Sequence, residues 1–149
     1  MKFRVRIEYD GKNYIALCIN MIGCYAQSDT EEGAKQKIQD AISLYILNYE
    51  QRYEPFNPEP DIPQINYHIK FRKISSEELS NILEKLNYNL DVITKDFLLF
   101  RKLDFPFYRI VIPNQDDLSP IIIKKIFGEK NITYISPATK GNNIKYQHG

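Results

Sequence analysis

The chain has 149 residues, and its 20 Lys and Arg side chains nearly balance 19 Asp and Glu, giving a formal net charge of +1. With 43% hydrophobic residues and no apolar run near the roughly 18 that a membrane span needs, the composition excludes disordered and membrane-embedded proteins. No secretory apolar region follows Met1, so we expect a cytoplasmic protein. Two cysteines, two histidines and no phosphate-binding loop predict neither a metal nor a cofactor.

The charge is divided unevenly along the chain. Residues 1–65 carry seven basic and ten acidic side chains, whereas residues 66–149 carry thirteen and nine. We therefore predict a first domain over 1–72, with a Pro-rich connector at 55–63 before its last strand, and a second domain over 73–135. Residues 136–149 are predicted to be a flexible tail. Opposite net charges favour contact between the two halves within one molecule.

In the first half, hydrophobic alternation predicts a strand with Phe3, Val5, Ile7 and Tyr9 on its core face. The turn residues 10–13 precede a central strand from Tyr14 to Ile19 that is apolar on both faces, and a third strand covers Cys24 to Ser28.

The period then changes to that of a helix, which begins near Thr30. Its predicted buried stripe consists of Ala34, Ile38, Ala41, Ile42, Tyr45, Ile46 and Tyr49. Either Asp29 or Thr30 can cap this helix, and Asp29 with Glu32 fits a capping box. Alternation from Ile65 to Lys73 predicts a fourth strand, so the first unit has the order β-β-β-α-β.

The second half begins with another capping box, Ser75 with Glu78, ahead of a helix. Three strands are predicted next, at Tyr88–Thr94, Phe97–Leu103 and Phe107–Ile112. Ser119 and Pro120 then start a last helix that Gly128 ends. The second unit has the order α-β-β-β-α, and the whole chain is predicted to be α+β.

Basic residues of the second half are candidates for a nucleic-acid-binding face, since phosphate binding depends on clustered cations. The candidates are Arg101, Lys102, Arg109, Lys124 and Lys125. An ordinary solvated surface predicts a similar excess of cations.

Residues 1–72 resemble the HicB family of antitoxins. The resemblance is carried by the strand-turn-strand of residues 3–19, by Gly23-Cys24, and by the segment from Ser28 to Ala34 with its helix through Tyr45. It implies a partial ribonuclease-H-like fold without the catalytic carboxylates of ribonuclease H.

The second half is similar to HicA, the small toxin that HicB proteins neutralise. The similarity lies in Lys73–Leu79, Leu83–Tyr88, Phe100–Lys102, Ile110–Asn114, Leu118–Pro120 and Ile126–Gly128. It implies a ribonuclease of mRNA with a double-stranded-RNA-binding-like scaffold. The positions of the two family histidines are Phe97 and Gln115 in this chain. Neither side chain exchanges protons near pH 7, so the resemblance implies an inactive HicA-like domain with no catalytic residue.

We therefore expect a non-catalytic toxin–antitoxin-related protein that binds a toxin, an RNA or operator DNA. A homo-oligomer is a further expected partner, and a membrane is not. Three alternatives stay open. The first is an active messenger-RNA endoribonuclease with Asp96 or His68 as the base; the second is a DNA-binding regulator. The third is a pair of α+β interaction modules that contact no nucleic acid.

Overall fold

The described chain comprises residues 2–21, 23–56 and 64–135 of a computed structural model and contains both helices and strands. The strands are β1 (Val5–Tyr9), β2 (Tyr14–Cys18), β3 (Tyr25–Ser28), β4 (Ile69–Phe71), β5 (Tyr88–Ile93), β6 (Phe97–Lys102), β7 (Arg109–Pro113) and β8 (Ile132–Tyr134). The helices are α1 (Glu31–Gln51), α2 (Ser76–Lys85) and α3 (Pro120–Phe127), and a 3₁₀ turn covers Glu129–Asn131. The prediction of an α+β protein is confirmed. None of these helices is both long and apolar enough to cross a bilayer.

The first sheet is antiparallel with the order β1-β2-β3. Its central strand is buried on both faces from Ile15 to Cys18, as predicted. The predicted core face of β1 is only partly correct, because Val5 is 38% exposed and Tyr9 57% exposed. Of that face, Phe3 and Ile7 pack on the core below α1. β1 is therefore a half-covered edge strand.

Thr30 caps α1, and the predicted Asp29–Glu32 capping box is wrong. The Thr30 hydroxyl accepts a hydrogen bond from the Gly33 backbone at 3.0 Å, which satisfies a donor of the first turn. A Cβ atom at Gly33 would lie 2.2 Å from the Ser28 hydroxyl, so this turn needs glycine. The buried stripe of α1 is the predicted one except that Asn48 is buried and Ile46 is half-buried.

The predicted fourth strand is much shorter than expected and has an unexpected partner. Only Ile69–Phe71 is a strand, and it pairs in parallel with β8 rather than with the first sheet. Ile69 and Phe71 are buried in the same core as α3, which explains why β4 lies beside the end of the second half. β8 was not predicted, because a three-residue strand has almost no periodicity.

The second half contains the predicted order α2, β5, β6, β7, α3. Ser75 and Glu78 form the predicted capping box, with bonds of 3.0 and 3.1 Å. Ser119 caps α3 and Gly128 ends it at a φ of 87°. The sheet is antiparallel with the order β5-β6-β7, and β5 has an irregularity between Leu90 and Val92. Residues 57–63 of the predicted connector and the predicted tail, 136–149, lie outside the described residues.

One helix joins the two halves. β3 and β7 meet at a parallel bridge between Cys24 and Val111, where the Val111 backbone donates to the Gly23 carbonyl at 2.7 Å. Residues of α2 and α3 pack on one face of the β5-β6-β7 sheet. The other face shares a core with α1, which also covers the first sheet. The two antiparallel sheets are therefore held under a single 21-residue helix.

Candidate functional site

The face of the β5-β6-β7 sheet that lies under α1 carries three of the seven positions predicted from the sequence: Phe97, Arg101 and Arg109. Phe97 lies opposite Pro113, Leu99 opposite Val111, and Arg101 opposite Arg109. Because side chains alternate along a strand, these residues point to the same side of the sheet. We call this surface the α1 face: Phe97, Leu99, Arg101, Arg109 and Val111.

Arg109 is completely buried at the centre of this contact. Its Nε donates to the Asn48 side chain at 2.9 Å, and its Nη1 lies 2.7 Å from the Phe107 carbonyl and 2.6 Å from Glu54. The guanidinium also stacks on the Tyr49 ring at 3.8 Å. A cation enclosed in this way has no exposed surface to offer a phosphate in this structure, and the role of Arg109 in nucleic-acid binding stays a prediction.

The end of α1 places a carboxylate between two arginines. Tyr53 adopts a left-handed φ of 56° after the helix, and the next residue, Glu54, turns back toward the second sheet. Its carboxylate binds both Arg101 and Arg109. Hydrogen bonds, first of all from Arg101, hold the pKa of Glu54 below its ordinary value although burial opposes them.

A second ion pair, Arg52 with Asp91, lies beside this cluster. The Arg52 guanidinium contacts both carboxylate oxygens of Asp91, and Asn48 donates to Asp91 at 2.9 Å. Burial raises the pKa of Asp91, but hydrogen bonds from Arg52 and Asn48 outweigh it and leave the pKa below its ordinary value. Asn48 therefore connects the two ion pairs, since it accepts from Arg109 and donates to Asp91.

The two positions aligned with the HicA histidines also contact the first half, but on opposite sides of the joined sheets. Phe97 lies on the α1 face, whereas Gln115 bonds to Gln27, whose side chain points away from α1 because its neighbour Ala26 packs in the α1 core. Phe97 is buried in the core that contains the apolar residues of α1. The Gln115 side chain accepts a hydrogen bond from Gln27 of β3 at 2.7 Å. Gln27 is itself buried and accepts from the Ser119 backbone at 2.8 Å. The first half thus covers both positions.

A groove of about 370 Å³ runs beside Phe97, between α1 and the turn that joins β5 to β6. Its polar lining consists of Asp40, Ser43, Thr94, Lys95 and Asp96, without histidine or cysteine. His68, the other proposed base, lies elsewhere, with its Nε2 3.4 Å from the Thr133 hydroxyl of β8. The titratable groups beside Phe97 in the described lining are therefore the carboxylates of Asp40 and Asp96 and the ammonium group of Lys95.

The remaining predicted cations lie apart from the α1 face. Lys102 donates to the Leu86 carbonyl at 2.8 Å. Lys124 and Lys125, on α3, lie 3.2 Å from Glu129 and 3.7 Å from Glu8, respectively. The structure therefore brings together Arg101 and Arg109, but it does not form one basic patch from all five residues.

Sequence reasoning missed the residues of the first half that contact these positions: Gln27, Asn48, Arg52 and Glu54, together with Asp91 of β5. One signal was available, because Asn48 falls three residues after Tyr45 on the apolar stripe of α1. A polar side chain on a buried stripe requires a partner, which here is Arg109.

We predict that Glu54→Gln lowers the free energy of unfolding by about 2–3 kcal/mol, because it leaves two arginines, one fully buried, without their carboxylate. Urea denaturation measures this loss. Glu50→Gln is the matched control, since Glu50 is an exposed residue of the same helix, and it changes stability by less than about 0.5 kcal/mol. Equal effects of the two substitutions would show that Glu54 has no special role.

Stability is also expected to depend on pH in the acid range. A carboxylate whose pKa is lower in the folded state than in the unfolded state stabilises the fold above its unfolded pKa, and this contribution disappears as the pH falls. The stability gap between the wild type and Glu54→Gln should therefore be constant from pH 7 down to about 4.5, the ordinary pKa of a glutamate, and should narrow as the pH is lowered further. Urea midpoints of both proteins along a pH series test this, and a gap that stays constant below that pH as well contradicts it.

Comparison with known proteins finds a relative through part of the chain. A 55-residue segment, 37% of this chain, is 42% identical to the UPF0150 protein ssr1765 of Synechocystis sp. and covers 67% of that protein. No protein-family model matches the chain, and no solved structure matches it. Because the match takes in two thirds of the relative at this identity, the chain belongs to the UPF0150 family.

Proposed function

We propose that this chain is a non-catalytic, cytoplasmic protein related to toxin–antitoxin systems, in which a HicB-like antitoxin unit covers an inactive HicA-like unit. Three antiparallel strands under α1 support a partial ribonuclease-H-like first unit. The order α2-β5-β6-β7-α3, with both helices on one face, supports a double-stranded-RNA-binding-like second unit. The pairing of β4 with β8 departs from a first unit that ends at residue 72.

The observation that carries the proposal is that the first half contacts both aligned histidine positions and the two central arginines of the second half. Phe97 packs against α1, Gln115 bonds to Gln27, and Arg101 and Arg109 bind Glu54. Every one of these contacts comes from the first half. If the second half descends from an RNA-cleaving toxin, its reactive end and its best-placed cations are already occupied within the same molecule.

The chemistry of the covered positions supports a binding role without turnover. Attack of a ribose 2′-hydroxyl on the neighbouring phosphate requires a base that takes up a proton near pH 7, and neither phenylalanine nor glutamine does so. Asp96 is exposed to solvent beside the groove. A carboxylate in water lacks the burial by which enzymes make an aspartate or glutamate an effective base near neutral pH.

Of the two kinds of external partner, the arrangement favours a toxin protein over a nucleic acid. Each of the five predicted cations already contacts a carboxylate or a carbonyl of this chain. Phosphate binding would have to replace these contacts, which lowers the electrostatic gain on which nucleic-acid affinity depends. Fusion of the two units raises their effective concentration and keeps the internal contact closed.

We predict that the full chain does not cleave a labelled messenger RNA, because no group at Phe97 or Gln115 can act as the base. Gel analysis of the RNA after incubation with the wild type, Asp96→Ala and His68→Ala should show three identical, uncleaved patterns. Cleavage by the wild type that disappears in either variant would instead establish a ribonuclease with a relocated base.

We further predict that the chain binds an active HicA-type toxin more tightly than it binds RNA or DNA. Calorimetric titration with the toxin, and mobility shifts with RNA and with DNA at two salt concentrations, measure the three affinities. A protein interface of mixed composition changes little with salt, whereas affinity that depends on phosphate contacts falls steeply. Tight RNA or DNA binding with that steep dependence, and no binding of the toxin, would contradict the choice of partner.

A further inference from the structure

The two outer strands of the joined sheets differ in how well their edges are protected. The bridge between β3 and β7 makes the strand order β1-β2-β3-β7-β6-β5, so β1 and β5 are the outer strands. β5 has a register irregularity at Asp91, whose side chain forms an ion pair with Arg52. Both features hinder pairing of this edge with another strand. β1 pairs with β2 along its whole length without such an irregularity. Among the strands of the joined sheets in residues 2–21, 23–56 and 64–135, β1 therefore has the open edge.

The hydrogen bonds to β2 determine which groups of β1 point outward. Arg4 accepts from the Ile19 backbone at 2.8 Å, and Asp10 donates to the Asn13 carbonyl at 3.0 Å. Bonding alternates along an antiparallel pair, so the backbones of Arg4, Arg6, Glu8 and Asp10 face β2. The N–H and C=O groups of Val5, Ile7 and Tyr9 face away from it and are available to another strand.

We propose that β1 pairs with β1 of a second copy of this chain, antiparallel and across a twofold axis at Ile7. In this register Arg6 lies opposite the partner's Glu8, and by symmetry the same pair forms twice. Ile7 then lies opposite its own copy, and the two residues form a hydrogen-bonded pair. Arg6 and the partner's Glu8 form the neighbouring non-hydrogen-bonded pair, in which side chains approach most closely.

Charge selects this register over its neighbours. An axis at Val5 would place Arg4 opposite the partner's Arg6, and an axis at Tyr9 would place Glu8 opposite the partner's Asp10. An axis at Arg6 or at Glu8 would place that residue opposite its own copy. Like charges directly opposite each other destabilise a strand pair, and the axis at Ile7 avoids all of them.

The groups needed for this contact are accessible. The Arg6 side chain is 53% exposed and 4.0 Å from Glu8, which also lies 3.7 Å from Lys125 of α3. On the other face of the strand, the axis at Ile7 places Val5 against the partner's Tyr9, and these are the exposed apolar residues of β1. A contact of five residues from each strand is small, so the dimer is expected to be weak. This inference does not rest on the proposed function.

Sedimentation equilibrium of the full chain, from about 10 µM to about 1 mM, tests the proposal. The wild type should dimerise reversibly within this range. Arg6→Glu should raise the dissociation constant at least about tenfold, because it converts both opposite-charge pairs into like-charge pairs. The double variant Arg6→Glu with Glu8→Arg restores opposite charges across the axis and should dimerise again.

Arg72→Glu is the matched control, since Arg72 is an exposed arginine that follows β4, and it should leave dimerisation unchanged. Circular dichroism of each variant establishes that it is folded. A wild type that stays monomeric throughout the range overturns the proposal, whatever the variants do. A dimer that Arg6→Glu does not weaken, or that the folded double variant does not restore, overturns the register and with it the proposal.

Discussion

Burial of the Arg109 guanidinium is the constraint on which the contact between the two halves depends. A charge removed from water is costly unless it is paired, and Glu54, Asn48 and the Phe107 carbonyl pair the charge and bind the Nε and Nη1 donors, while Nη2 is buried without a hydrogen-bond partner among the described residues. An apolar pair of similar volume would be about as stable, so net stability does not explain the cluster. Its effect is positional: if α1 shifted along the sheet, a buried cation would lose its partners.

The same helix extends this constraint to the rest of the structure. α1 shares a core with both antiparallel sheets, and its C-terminal end positions Glu54 through the left-handed turn at Tyr53. On the opposite face of the joined sheets, Gln27 bonds both Gln115 and Ser119. On the α1 side, the apolar core beside the charged cluster excludes water, which strengthens the charged contacts at its border. Polar contacts on both faces of the sheets thus define one arrangement of the halves.

Which of these features the sequence predicts depends on how far apart in the chain the interacting residues lie. Ser75 with Glu78 and Ser119 with Pro120 are local signals, and they locate the starts of α2 and α3 correctly. Arg109 looks like a surface cation from its neighbours along the chain, because its carboxylate partner is 55 residues away in Glu54. The parallel pairing of β4 with β8 spans a similar distance and has no local pattern. Sequence periodicity therefore predicts the elements well and the contents of the site poorly.

The split of charge between the halves has a different meaning once the contacts are known. An acidic first half and a basic second half suggest that carboxylates of the first half pair with cations of the second. Glu54 with Arg101 and Glu8 with Lys125 are pairs of this kind. Arg52 with Asp91 and Lys12 with Asp117 run in the opposite direction. A net charge difference between the halves would be screened by salt over about 10 Å, whereas the buried pairs of Glu54 with Arg101 and Arg109 are screened much less. The fit between the halves therefore depends on where individual charges lie. These pairs account for only part of the chain's near-zero net charge.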